Sequence, residues 1–146
     1  MNTQDIADQL KLRALVDQVS IFADKKDFEA QVQLFTEDAI TEITVGGNLI
    51  MQLTGREAMS AAFEGFNKSF ATSFHLNGQH VVAVKGDHAN GTLYSHITLL
   101  SIEHGKKVKS TIGAVYQDGY ERINARWLIA SRRGTFIWQD KNLLDP

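Results

Sequence analysis

Five histidines, at positions 75, 80, 88, 96 and 104, carry most of this chain's capacity for acid–base chemistry near neutral pH. Their spacing of five to eight residues fits neither HxH nor HExxH, so the pattern holds no recognised metal signature. Cysteine is absent, which removes thiolate ligands, thiol nucleophiles and disulfides together. No GxSxG, GxGxxG or P-loop pattern occurs, which argues against a triad hydrolase, a nucleotide oxidoreductase and an NTPase. What remains is proton transfer by Asp and His, with Arg as a charge stabiliser.

Few side chains qualify. Asp24 lies in Ala23-Asp24-Lys25-Lys26-Asp27, where a helical pattern breaks, and on spacing alone it reads equally well as a solvated acid. His75 stands between Phe74 and Leu76 at the start of a predicted strand. Alternation puts Tyr94 and His96 on one face of the next strand and Ser95 and Ile97 on the other, without choosing the inner face. Arg132 and Arg133 are neighbours in a strand, so one points inward and needs a carboxylate, a carbonyl or an anionic ligand.

The stretch that must position these residues is Ser73–Leu100. Phe74–Val84 and Ala89–Leu100 are rich in β-branched and aromatic residues and flank the turn Lys85-Gly86-Asp87, which predicts a β-hairpin. Ahead of it, Leu12, Leu15, Val16 and Val19 have helical spacing over Thr3–Phe22, with Asn2 or Thr3 as cap. Asp27 caps a second, shorter helix carrying Phe28, Val32 and Phe35 on one face. Ala39–Val45 and Leu49–Leu53 form a strand pair around Gly46-Gly47-Asn48. Thr54-Gly55 opens a third helix with the apolar stripe Ala58, Met59, Ala62, Phe63, Phe66 and Phe70. Lys107–Glu121 and Trp127–Trp138 add two more strands, and the single proline is the last residue. Helices followed by long antiparallel strands predict an α+β domain whose twisted sheet curls around the helices and leaves a cavity.

At 146 residues the chain reads as one domain, 1–146, with a continuous core. The net charge of −2 and the single basic cluster at Lys106, Lys107 and Lys109 exclude the footprint of non-specific nucleic-acid binding. No apolar run approaches the ~20 residues of a membrane span, and the polar start MNTQDIADQ is no signal peptide. The expectation is a cytoplasmic protein with neither nucleic acid nor membrane as partner.

Three local patterns carry a resemblance. Phe22-Ala23-Asp24-Lys25-Lys26-Asp27-Phe28 resembles a helix corner in which an Asp is followed by an acid and an aromatic. Gly55-Arg56-Glu57 resembles a Gly-x-Glu helix start. Ser73–His75, Gly86–Ala89, Tyr116–Arg122 and Trp127–Arg133 resemble the strands of the same family. It is the SnoaL-like branch of the nuclear transport factor 2-like superfamily, and the resemblance covers nearly the whole chain. It implies a cone-shaped, cystatin-like α+β fold: a curved antiparallel or mixed sheet around three helices, with an internal pocket.

The nearest active-site pattern is similar to that of the scytalone dehydratase and dehydrochlorinase-like members. There a helix-corner Asp pairs with a His on the strand after the third helix, and some members add an Arg in the last strand. The matching positions are Asp24, His75 and Arg132. Two positions depart. Val19 stands where these enzymes carry Lys, Tyr or Trp, and Leu99 stands near the second histidine of the dehydratases.

The resemblance therefore implies a cofactor-independent lyase or isomerase acting on a small hydrophobic, cyclic substrate. His75 is the expected base, Asp24 its orienting partner, and Arg132 the stabiliser of developing negative charge. Val19, Thr41, Ile43, Phe63 and Phe66 are expected to line the pocket, with Tyr94 or His96 as proton donor. No cofactor and no metal is expected, because side chains alone transfer protons at an acidified carbon. The rival expectation is a non-catalytic binding or assembly module of the same fold. An epoxide-opening hydrolase ranks below both, because the strand near His96 offers no second acid. A homodimer or homotrimer is implied by the family and by the apolar outer face a curved sheet leaves uncovered.

Overall fold

Helix α1 (Thr3–Asp24) starts at a reciprocal cap. The Asp5 N–H donates to Asn2 Oδ1 at 2.9 Å, and the Asn2 N–H donates to Asp5 Oδ2 at 3.3 Å. Its predicted apolar face, Leu12, Leu15, Val16 and Val19, is buried. Asp8 is buried beside it and anchors the helix to Arg122 and Trp127, on either side of the turn between the last two strands. Its Oδ1 accepts from Gln4 Nε2 (2.9 Å), Arg122 Nη1 (2.6 Å) and Trp127 Nε1 (3.1 Å). Burial pushes the Asp8 carboxyl up, but these donors outweigh it and hold the group below the usual carboxylate range.

Asp27 caps helix α2 (Phe28–Val32), its side chain accepting from the Ala30 N–H at 3.2 Å. Phe35, expected on this helix, instead opens strand β1 (Phe35–Val45). The 28/32/35 spacing suits a helix, but Phe35 pairs with Ile129, a partner that local spacing cannot reveal. Gly46 and Gly47, both at positive φ, turn the chain into β2 (Asn48–Thr54). Gly55, at φ +89°, donates to the Ala39 carbonyl at 2.8 Å and starts α3 (Arg56–Asn67). Of the stripe predicted on α3, only Met59 is fully buried.

Four long strands follow: β3 (Thr72–Lys85), β4 (His88–Glu103), β5 (Lys106–Ile123) and β6 (Arg126–Leu143). The six strands form one open sheet in the order β2-β1-β6-β5-β4-β3, with β1 and β6 parallel and every other neighbouring pair antiparallel. The computed structural model describes residues 2–144, and Pro146 lies outside them. Together these elements make the expected α+β architecture, a curved, unclosed mixed sheet carrying the helices on its inner face. Among the described residues no helix is long and apolar enough to cross a membrane.

Alternation sorts the side chains between two faces. Leu93, Ser95, Ile97 and Leu99 of β4 and Ile112, Ala114, Tyr116, Asp118 and Tyr120 of β5 are buried on the inner face. Phe74, Leu76, Tyr94 and Trp138 are exposed on the outer one. A bulge shifts the β3–β4 register between Asn77 and His80. Arg13 of α1 occupies the carbonyls beside that shift, donating from Nη1 to Gly78 O (2.7 Å) and from Nη2 to Asn77 O (3.1 Å). Asn77 itself donates to Val16 O and Asp17 Oδ1 of α1, so helix and hairpin are fixed to one another at this point.

Candidate active site

The last residue of α1 and the beginning of β3 meet at Asp24 and His75. Asp24 Oδ1 lies 2.6 Å from His75 Nδ1, and Asp24 Oδ2 accepts the His75 backbone N–H at 3.0 Å. Ser73 Oγ donates to the same carboxylate at 3.4 Å. With Nδ1 engaged, Nε2 is the ring nitrogen left for chemistry. His75 lines a cavity of about 360 Å³ between the helices and the inner face of the sheet; Asp24 stands behind it, outside the lining.

Arg132 reaches the same cavity from β6. It is buried, whereas Arg133 points outward and pairs with Glu42 at 3.3 Å. Arg132 donates to Asp118 through a two-bond fork, from Nε to Oδ1 at 2.9 Å and from Nη2 to Oδ2 at 2.8 Å. Burial alone would pull the guanidinium pKa down, and the Asp118 charge more than reverses this, so Arg132 stays charged. The fork leaves Nη1 out of the Asp118 pair. The guanidinium carbon sits 4.4 Å from the ring centroid of Tyr116, which also lines the cavity. Burial raises the Tyr116 phenol, so it remains protonated at neutral pH.

The Asp118 pair continues away from the cavity. Tyr120 donates its hydroxyl to Asp118 Oδ2 at 2.8 Å, and His80 Nε2 lies 3.0 Å from that hydroxyl. Because the Tyr120 proton is spent on Asp118, His80 is the donor in this second contact. Burial lowers the His80 pKa below its ordinary value.

Val19, Thr41, Ile43, Phe63 and Phe66 all line the cavity. Tyr94 and His96 do not: both are on the outer face, where His96 packs against Trp138 with ring centroids 5.9 Å apart. Their neighbours Ser95 and Ile97 take the inner face, and Ile97 is in the lining. The sequence reading missed Tyr116, Asp118 and Gln31. Asp118 left a signal, since it interrupts the apolar stripe Ile112, Ala114, Tyr116, Tyr120 with a charge that needs a buried cation. Gln31 lines the cavity from α2, and its Oε1 is buried with no hydrogen-bond partner among the described residues. No group of three or more His, Asp or Glu side chains suited to a metal occurs among the described residues.

The sequence profile of the SnoaL-like domain matches residues 4–133. No curated protein matches the sequence. Solved structures do match. One is a proposed scytalone dehydratase from Novosphingobium aromaticivorans DSM 12444, at 18% identity and a TM-score of 0.84, with 99% of this chain and 94% of that one covered. A second is a hexachlorocyclohexane dehydrochlorinase from Novosphingobium barchaimii LL02, at 20% identity and a TM-score of 0.79, with 97% of each chain covered. A third is a nuclear transport factor 2-like protein with a cystatin-like fold, also from N. aromaticivorans, at 23% identity and a TM-score of 0.73, covering 92% of this chain and 84% of that one. At these identities the likeness is one of fold.

Proposed function

The chain belongs to the SnoaL-like domain family, and from that premise we propose that it is a cofactor-independent lyase or isomerase acting on a small, apolar, cyclic substrate. The observation that carries this reading is the Asp24–His75 contact at 2.6 Å on the wall of an apolar cavity that Arg132 also lines. His75 Nε2 removes a proton from a carbon next to a carbonyl or β to a leaving group. Asp24 holds the ring and stabilises the imidazolium that forms. Arg132 stabilises the oxyanion that develops on the substrate. Its charge is already balanced by Asp118, so the site favours a neutral carbonyl that gains charge over a resident carboxylate. Tyr116, protonated and in the lining, takes the donor role that the sequence reading gave to Tyr94 or His96.

Deuterium exchange at the α-carbons of 4-hydroxycyclohexanone in D₂O, followed by NMR, tests the base. The protein should accelerate exchange, and His75→Ala should lower the acceleration by about 10²-fold or more. Equal rates in the two proteins would remove His75 from the chemistry.

One observation favours a second reading, a non-catalytic binder. Val19 is 2% exposed and lines the cavity where the resemblance implied a leaving-group residue, and valine handles no proton. A binder would hold its ligand undiminished in Asp24→Asn and show no exchange. We also propose that the chain folds as one domain and works in the cytoplasm, which the absence of cysteine fits. Self-association through the outer face, as dimer or trimer, is supported by the exposed Phe74, Leu76, Tyr94, Ile137 and Trp138. Sedimentation equilibrium decides it, and a monomer at high protein concentration would refute it.

A further inference from the structure

Several polar side chains of the cavity wall are engaged within the protein, although His75 Nε2 and Arg132 Nη1 stay out of those contacts. His75 is held by Asp24 and Arg132 by Asp118. Thr41 Oγ1 meets Met59 Sδ at 3.5 Å, Ser20 Oγ meets Asn77, and Asn67 Nδ2 donates to the Phe63 carbonyl at 2.8 Å. Gln31 differs. It is 7% exposed, it lines the cavity, and its side-chain Oε1 is buried without a donor among the described residues. Its backbone is fixed, with the N–H on Asp27 O at 3.0 Å and the carbonyl accepting from Leu34 N–H at 3.1 Å, so α2 holds the amide at the wall. Apolar neighbours in the lining, among them Phe28, Phe35 and Phe63, offer it nothing. A buried acceptor left unpaired is costly unless something outside the protein supplies the donor.

We infer that Gln31 is a specificity-determining residue of this cavity: its amide, which no side chain among the described residues holds, turns about its last bond to bring the buried oxygen to the cavity, where it accepts a hydrogen bond from a hydroxyl or N–H group on an otherwise apolar ring compound. The inference rests on the cavity being the substrate site, and it is independent of His75 acting as base. It narrows the substrate class to rings that carry a donor. A ring with an ether or methyl in that place leaves Oε1 unpaired and is rejected.

The test uses four probes of nearly one shape: phenol and aniline, which donate, and anisole and toluene, which do not. Binding is read by ligand-observed NMR and calorimetry on the native protein, Gln31→Met, Gln31→Leu and Gln31→Glu. The native protein should bind the donor probes about tenfold or more tighter than the other two, the scale of one buried hydrogen bond made or lost. Gln31→Met, unbranched and similar in length, should reduce that preference to about twofold or less while keeping toluene. Gln31→Glu, which presents only acceptors when ionised, should preserve the preference, whereas Gln31→Leu, a second variant without an acceptor, should lose it and carries the test should the methionine variant fail to fold. Native protein that binds all four alike, or a preference that survives Gln31→Met or Gln31→Leu, would overturn the assignment. Binding of none of the four would overturn it together with the reading of the cavity. Loss of α-carbon exchange in His75→Ala with an unchanged probe preference would leave it standing, because the two readouts are separate.

Discussion

Asp24 holds His75 twice, at the ring Nδ1 (2.6 Å) and at the backbone N–H (3.0 Å), one contact to each carboxylate oxygen. The side chain therefore sets the imidazole orientation and the start of β3 together. The neutral ring should carry its proton on Nδ1 and leave Nε2 bare, and ¹⁵N chemical shifts report this directly. Asp24→Asn removes the charge that would stabilise the imidazolium. It should weaken the Nδ1–H preference and lower α-carbon exchange by about 10²-fold. An unaltered ¹⁵N pattern in the variant would show that Asp24 anchors only the strand.

The Arg132–Asp118 fork supplies a stability prediction. Both groups are buried, so Asp118→Leu strands a guanidinium and Arg132→Met strands a carboxylate that Tyr120 alone then serves. Each single variant should lose about 3–5 kcal/mol in urea unfolding. The double variant should recover most of that loss, because it removes both desolvated charges. Additive losses would mean that the two residues do not act as a pair.

How much of this was legible in the chain depends on how local each signal was. The Asp27 cap, the Gly46-Gly47 turn, the face of α1 and, to within one residue, its cap at Asn2 could be read because each is decided within a few residues. The inner face of β4 was not legible, because the outer face is apolar too. Tyr94 stands among Leu76, Ile137 and Trp138, so alternation gave two faces without the polar one that names the outside. The register of β3 was hidden for another reason. Without the bulge, odd positions after His75 would all face inward; the shift at Gly78-Gln79 brings His80 in and leaves Val81 72% exposed. The meeting of Asp24 with His75, distant in sequence, came from resemblance and from no local pattern.

That bulge has a pH consequence, because it places His80 against Tyr120. Burial lowers the His80 pKa; Asp118 and Asp17 oppose this, while Arg13 and Arg132 add to it. The unfolded chain then takes up the proton first, near pH 6.5. Native stability should fall as the pH drops from about 7 toward 5, and the loss is complete only below the lowered native value. His80→Gln keeps a donor for Tyr120 without titrating, so its unfolding free energy should be flatter across that range. Parallel curves for the two proteins, followed by urea unfolding at several pH values, would remove His80 as the source.

Gly134 leaves room for two residues of the cavity wall, Tyr116 and Ile43. A Cβ there would lie 2.7 Å from Tyr116 Cε1 and 2.8 Å from Ile43 Cδ1, closer than carbon atoms approach without movement. Both neighbours line the cavity, and Tyr116 lies against the Arg132 guanidinium. Gly134→Ala should therefore cost about 1–3 kcal/mol in stability and displace the phenol from Arg132, weakening phenol binding. Adding Ile43→Val removes the Cδ1 atom and with it one of the three close approaches, the other two being to the Tyr116 ring. The double variant should recover part of the stability while the Tyr116 crowding, and with it the binding defect, persists. If Ile43→Val restores both, the aliphatic contact alone sets the shape of this part of the wall; if it restores neither, the strain lies wholly in the Tyr116 ring.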